Sequence, residues 1–246
     1  MSDPRPTNPF SPSPAVPAWS ADEAATPVRV DAKTQQAFLT QAFLWMFAGL
    51  AVTAGIAFVV QGNARLLAFA QTNFLVLVIG QLVLALAIQF GIRRINATVA
   101  LGGFFVYAAS LGLTVGLIVA AYTQSSVVSA FLSASAMFGG AAIYGHVTKR
   151  SLATIGSYLF MGMIGLFVAL IINAFLRSDA VSWVLSIIGV VIFTGLTAWD
   201  VQRIQNGDLA VWTGSTEKAA VLGALWLYLD FVNIFLFLLR LFGSRD

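Results

Sequence analysis

The sequence predicts an all-α, polytopic membrane protein in which a bundle of seven transmembrane helices follows a disordered tail. Three observations carry this. Of 246 residues, 59% are hydrophobic and 9% charged, against roughly 45–50% and about 25% in ordinary soluble domains. Mean hydropathy is +0.88, and the chain divides into seven apolar stretches, each near the roughly 20 residues that one helix needs to cross a bilayer. All seven prolines (Pro4, Pro6, Pro9, Pro12, Pro14, Pro17, Pro27) lie in the first 27 residues, while all 21 glycines follow residue 48. The two parts therefore obey different rules.

Residues 1–35 are rich in Pro, Ser and Ala with scattered charge. Such a segment cannot bury enough apolar surface to offset chain entropy, so a disordered cytoplasmic tail is expected. It lacks the basic start and apolar core of a cleavable signal, which leaves the first span as the insertion signal. A membrane domain is then predicted over residues 36–243. Its spans are expected at Phe38–Val60, Asn73–Ile92, Ala97–Tyr122, Val127–Gly145, Leu152–Leu176, Val181–Gln202 and Ala219–Phe242. None contains proline, so the small residues serve close packing: Gly112 and Gly116 as a GxxxG pair in the third span, and Gly139, Gly140, Ala141 and Gly145 along one side of the fourth. The longest connection, Gln205–Lys218, leaves no room for a soluble catalytic domain.

Basic residues give the orientation. The tail and the loops on its side hold Arg5, Arg29, Lys33, Arg93, Arg94, Lys149, Arg150, Arg203 and Lys218; the other side holds Arg65, Arg177, Arg240 and Arg245. Nine against four predicts a cytoplasmic N-terminus. The same scatter over short loops offers no basic cluster for a nucleic acid, despite a pI near 9.5. With no cysteine and one histidine, disulfides, thiolate metal sites, thiol catalysis and histidine-rich metal sites are excluded.

The informative side chains are the charges placed where hydrocarbon penalises them. Asp230 falls about halfway along the seventh span, in Leu227-Tyr228-Leu229-Asp230-Phe231-Val232-Asn233, too deep to reach water. At 100° per residue it shares a stripe with Trp226, Asn233, Phe237 and Arg240, which predicts that this face looks into the bundle. Asp200 lies near the cytoplasmic end of the sixth span. For Asp200 the plain alternative is a lip residue paired with Arg203; for Asp230 it is a carboxyl held by a structural hydrogen bond. If the two helices are neighbours, the carboxyls can share a proton and titrate in coupled steps, a pH switch that needs no histidine. Gln81 and Gln89 lie in the second span, and Arg93 and Arg94 end it on the cytoplasmic side. Arg93 and Arg94 serve either as positive-inside anchors or, for one of them, as a guanidinium that latches helices by pairing with an aspartate.

The segments Trp199-Asp200-Val201-Gln202-Arg203-Ile204, Leu227-Tyr228-Leu229-Asp230-Phe231-Val232-Asn233-Ile234-Phe235 and Leu238-Leu239-Arg240-Leu241-Phe242-Gly243 resemble the signatures of the Bax inhibitor-1 family, also called transmembrane Bax-inhibitor-motif or YccA-like proteins. The likeness extends over about residues 36–243. It implies six helices around a central seventh. It further implies a calcium leak of the bacterial inner membrane whose pH sensor and gate is the pair Asp200 and Asp230, with Arg93 or Arg94 as latch. Where some relatives carry an acidic residue in the second span, this chain has Gln81. Bacterial members are also linked to restraint of a membrane quality-control protease, so a non-conducting regulator with a membrane protease complex as partner is the alternative that the same resemblance implies.

A calcium ion takes six to eight oxygens, and two aspartates supply at most four. Asp200 and Asp230 are thus expected to bind Ca²⁺ only transiently, with Asn233 and Tyr228 among the supporting polar groups and no resident cofactor. The expected partners are the lipid bilayer and calcium ions, without nucleic acid. Enzyme readings fit poorly. An intramembrane aspartyl protease sets its second aspartate after Gly-x-Gly, where this chain has Tyr228-Leu229. A rhomboid needs a helical histidine, whereas His146 stands at the rim of the fourth span beside Lys149 and Arg150. A retinal protein needs a lysine inside the last span, and Lys218 precedes it.

Overall fold

The computed structural model describes residues 32–244, with side chains from Gln36 onward. The tail expected over residues 1–35 thus lies outside the described residues except for its last four, which already open the first helix. Ala32, Lys33 and Gln35 are good helix formers and no proline follows Pro27.

Nine helices make up the described chain: α1 Ala32–Gln61, α2 Ala64–Thr72, α3 Phe74–Gly91, α4 Ala97–Val119, α5 Gln124–Val147, α6 Ala153–Leu176, α7 Asp179–Gln205, α8 Asp208–Thr213 and α9 Thr216–Phe242. Seven are long and apolar enough to cross a membrane, and their membrane stretches fall within three residues of the expected spans. Local chemistry sets the boundaries. Asn96 accepts from Val99 N, Thr123 from Ser126 N, Ser178 from Val181 N and Ser215 from Lys218 N, each satisfying an otherwise orphaned amide at a helix start. Gly207 and Gly214 bracket α8 with φ of 78° and 69°, a conformation that costs glycine little.

The short helices α2 and α8 were not among the predicted elements. Asn63 caps α2 by accepting from Arg65 N and Leu66 N, a signal present in the sequence but overshadowed by the longer spans around it.

α9 is the core of the bundle. Of its most apolar stretch 78% is buried, against 11% in both α3 and α6, so α9 is enclosed on nearly all sides while α3 and α6 face lipid. It packs directly on α1, α4, α5, α7 and α8; α3 packs chiefly on α4, and α6 on α7. A helix apolar all round is what enclosure requires.

The glycines divide by position. A Cβ on Gly112 would stand 2.7 Å from the Ile56 side chain, and one on Gly116 2.9 Å from Val60, so the GxxxG pair serves close packing as expected, and the helix it packs on is α1. Gly145 likewise lies against the backbone of Ala198. Gly139 and Gly140 meet nothing within 4 Å; the expectation that they serve packing is corrected, because they occupy an open face of α5 while Gly145 and Ala141 turn inward.

Candidate functional site

The sixth and seventh spans, α7 and α9, are among the most extensively packed helix pairs in the bundle, and they bring the two carboxylates together. Asp200 is 8% exposed and Asp230 4%, and their side chains lie within hydrogen-bonding reach of one another. Such a bond exists only while one carboxyl holds a proton, since two carboxylates have none to share.

The two carboxyls sit at different depths along their helices. At 1.5 Å per residue, Asp200 lies about 8 Å from the end of α7, whereas Asp230 lies about 21 Å from the start of α9. They meet because the two helices are staggered, with α8 packed along α9 and α7 at the turn between them.

Three neighbours complete the site. The Thr197 hydroxyl, one turn before Asp200 and fully buried, reaches the Asp230 carboxyl while donating to Phe193 O at 2.8 Å. Having one proton, it can serve Asp230 as donor only by releasing that carbonyl; otherwise it accepts from a protonated Asp230. Oδ2 of Asp230 is buried without a hydrogen-bond partner. Nη1 of Arg203 stands 3.8 Å from Oδ1 of Asp200 within α7. The Arg203 guanidinium also stacks on Trp199 at 4.5 Å and on Trp226 of α9 at 4.4 Å. Trp226 in turn donates from Nε1 to Gln89 Oε1 of α3 at 3.2 Å.

Gln202 fixes the neighbouring loop. Its carboxamide accepts from Leu152 N at 2.8 Å and donates to Arg150 O at 2.9 Å, tying the α5–α6 connection to the helix that carries Asp200.

Residues 35–246 match the family described as inhibitor of apoptosis-promoting Bax1. The chain belongs to the Bax inhibitor-1 family. Among similar Bax inhibitor-like proteins, the inner membrane protein YbhL of Escherichia coli K12 is 40% identical over 216 residues, covering 85% of this chain and 92% of its own. An uncharacterized protein of Deinococcus radiodurans is 40% identical over 210 residues (85% and 91%). Another, from Borreliella burgdorferi, is 38% identical over 213 (85% and 92%).

In this Bax inhibitor-1 family member, the other predicted site residues lie elsewhere. Arg93 and Arg94 are both exposed at the end of α3, and among the described residues the ion pair to the aspartates comes from Arg203 instead. Arg93 offers its carbonyl to Lys218 Nζ at 3.3 Å. Gln81 is buried between α3 and α4, donating to Ser110 O at 2.9 Å and Thr114 Oγ1 at 2.7 Å. Tyr228 turns toward α1 and α4, with its hydroxyl 2.6 Å from that of Thr53 and its ring edge-on to Phe104 and Tyr107. Asn233 donates to Leu229 O of its own helix at 2.8 Å. The predicted stripe on α9 is only partly inward, since Asp230 and Phe237 are buried but Arg240 is exposed.

Proposed function

We propose that this protein is a pH-sensitive leak for cations, calcium in particular, gated by Asp200 and Asp230, and that it is not an enzyme. One observation carries the reading: two buried carboxyls on different spanning helices touch, so a single proton joins α7 to α9. In the closed form Asp230 holds that proton and Asp200 is ionised, paired with Arg203 at 3.8 Å. Protonating Asp200 removes both its ion pair and the charge that makes it a strong acceptor, so the contact loosens as pH falls. Ions then pass two neutral carboxyls, whose carbonyl oxygens hold Ca²⁺ only transiently and fall short of the six to eight oxygens of a storage site.

The placement we propose is the inner membrane, that of the similar protein YbhL of Escherichia coli. The end of the bundle that carries Arg93, Arg94, Lys149, Arg150, Arg203 and Lys218 then faces the cytoplasm under the positive-inside rule.

The test is calcium flux into proteoliposomes holding the full chain, compared at about pH 6 and about pH 8. Wild type should conduct more at the lower pH. Asp200→Asn, which mimics the protonated residue, should leak at both. Asp230→Asn retains an N–H toward Asp200 and should stay closed at the higher pH. Absence of flux in all three, with a membrane protease co-purifying, would support the non-conducting regulator instead; peptide cleavage lost in both variants would revive an aspartyl protease.

A further inference from the structure

We propose that Arg203 is a pin that closes this end of the bundle by stacking on Trp199 and Trp226, joining α7 to α9 and, through Gln89, to α3. The inference rests on the gated-leak reading and assigns its closure to a residue to which the family resemblance gave no role.

The ion pair alone does not fasten helices. Arg203 and Asp200 are three positions apart on α7, their nearest atoms are 3.8 Å apart, and the Arg203 side chain is 29% exposed. A pair three positions apart within one helix, at 3.8 Å, ties nothing to a neighbouring helix. The contact that crosses between helices is the guanidinium on the Trp226 ring at 4.4 Å, which a planar, weakly hydrated cation is suited to make.

Both rings are themselves held. Trp226 is anchored to α3 by its bond to Gln89 Oε1. The indole of Trp199 lies on Gly156 of α6, where a Cβ would collide with it. Through the two rings the guanidinium is linked to four helices: α7 and α9 directly, α6 through Trp199 and α3 through Trp226. Asp200 pairs with it on its own helix, with Asp230 of α9 beyond Asp200; Gln89 holds Trp226, and Arg93 and Arg94 are exposed just beyond the end of α3. Arg203 is thus the cation that pairs with Asp200, while its stacking bridges the helices that carry the two aspartates.

The absence of cysteine makes a direct test available. Thr197 is fully buried against Asp230, so a Thr197→Cys variant of the full chain in vesicles should react slowly with a membrane-impermeant maleimide. Adding Arg203→Gln or Trp226→Leu should speed labelling about tenfold. Combining the two should speed it no further, because either change breaks the Arg203–Trp226 stack, the contact of this guanidinium that crosses between helices. Arg203→Lys, a charged residue without a stacking plane, should fall between. Gln89→Leu removes only the anchor of Trp226 and should give a smaller acceleration, which keeps the test decisive should Arg203→Gln fail to accumulate. Unchanged rates, or independent multiplication of the two effects, would overturn the pin. Faster labelling without calcium flux would retain the pin and reject the leak; faster flux without faster labelling would do the reverse.

Discussion

The hydroxyl of Thr53 on α1 and that of Tyr228 on α9 lie 2.6 Å apart, and Thr53 also approaches Gly49 O at 3.0 Å and Ala108 O of α4 at 2.9 Å. With one proton, Thr53 donates to a carbonyl and accepts from Tyr228, so one side chain joins three helices. This network uses the opposite face of α9 from its contact with Asp200.

Tyr228→Phe should therefore cost about 0.5–1.5 kcal/mol, the range for one buried hydrogen bond within a membrane bundle. Thr53 keeps its carbonyl partner and the ring keeps its edge-on contacts with Phe104 and Tyr107. Thermal unfolding in detergent measures the loss. Calcium flux should be unchanged at each pH, because the hydroxyl serves α1 rather than the aspartates; altered flux would show that it belongs to the gate.

The glycines of the spans separate into tolerant and intolerant sites. Gly112→Ala places a methyl 2.7 Å from the Ile56 side chain and 3.0 Å from Thr53 O, and should destabilise the α1–α4 contact by about 1–3 kcal/mol. Gly139→Ala meets nothing within 4 Å, and should be neutral or raise stability by about 0.5–1 kcal/mol through helix propensity. Comparing the two melting temperatures tests the division.

Most of the fold was legible because bilayer thickness is a ruler that soluble proteins lack. Seven spans and the close packing at Gly112 and Gly116 could be read from spacing, and the approach of Asp200 to Asp230, given neighbouring helices, from the expense of charge in hydrocarbon. Of the partners of the aspartates, Arg203 was legible beside Asp200, three positions on. Thr197 was not, being a threonine on an apolar helix with no mark to separate it from Thr194. Arg93 and Arg94 stood out because they are adjacent, yet a residue at the end of a helix is free to turn outward, and both do. The loop clamp of Gln202 depends on residues fifty positions away, a separation that periodicity within one helix does not reveal.

Gln202→Ala should remove that clamp. It orphans Leu152 N and Arg150 O together, an expected loss of about 1–3 kcal/mol for buried backbone groups left without partners. The damage should concentrate at the α5–α6 connection, so limited proteolysis should cut residues 148–152 faster than in wild type. Uniform loosening throughout the bundle would mean that Gln202 acts globally.

Asp230 gives the sharpest contrast between burial and function. Its Oδ2 lacks a partner, and Asp200 keeps Arg203 when Asp230 is gone. Replacing Asp230 by leucine thus removes an unmet polar atom without stranding the other carboxyl, and the protein should accumulate in the membrane at near-normal levels. Asp230→Lys puts an ammonium at the same depth, which should impair insertion by roughly 2.5–3.5 kcal/mol. Membrane accumulation of the two variants, measured side by side, checks both halves. Equal accumulation would place residue 230 in a hydrated environment, because only water reaching that depth would make the lysine as acceptable as the leucine.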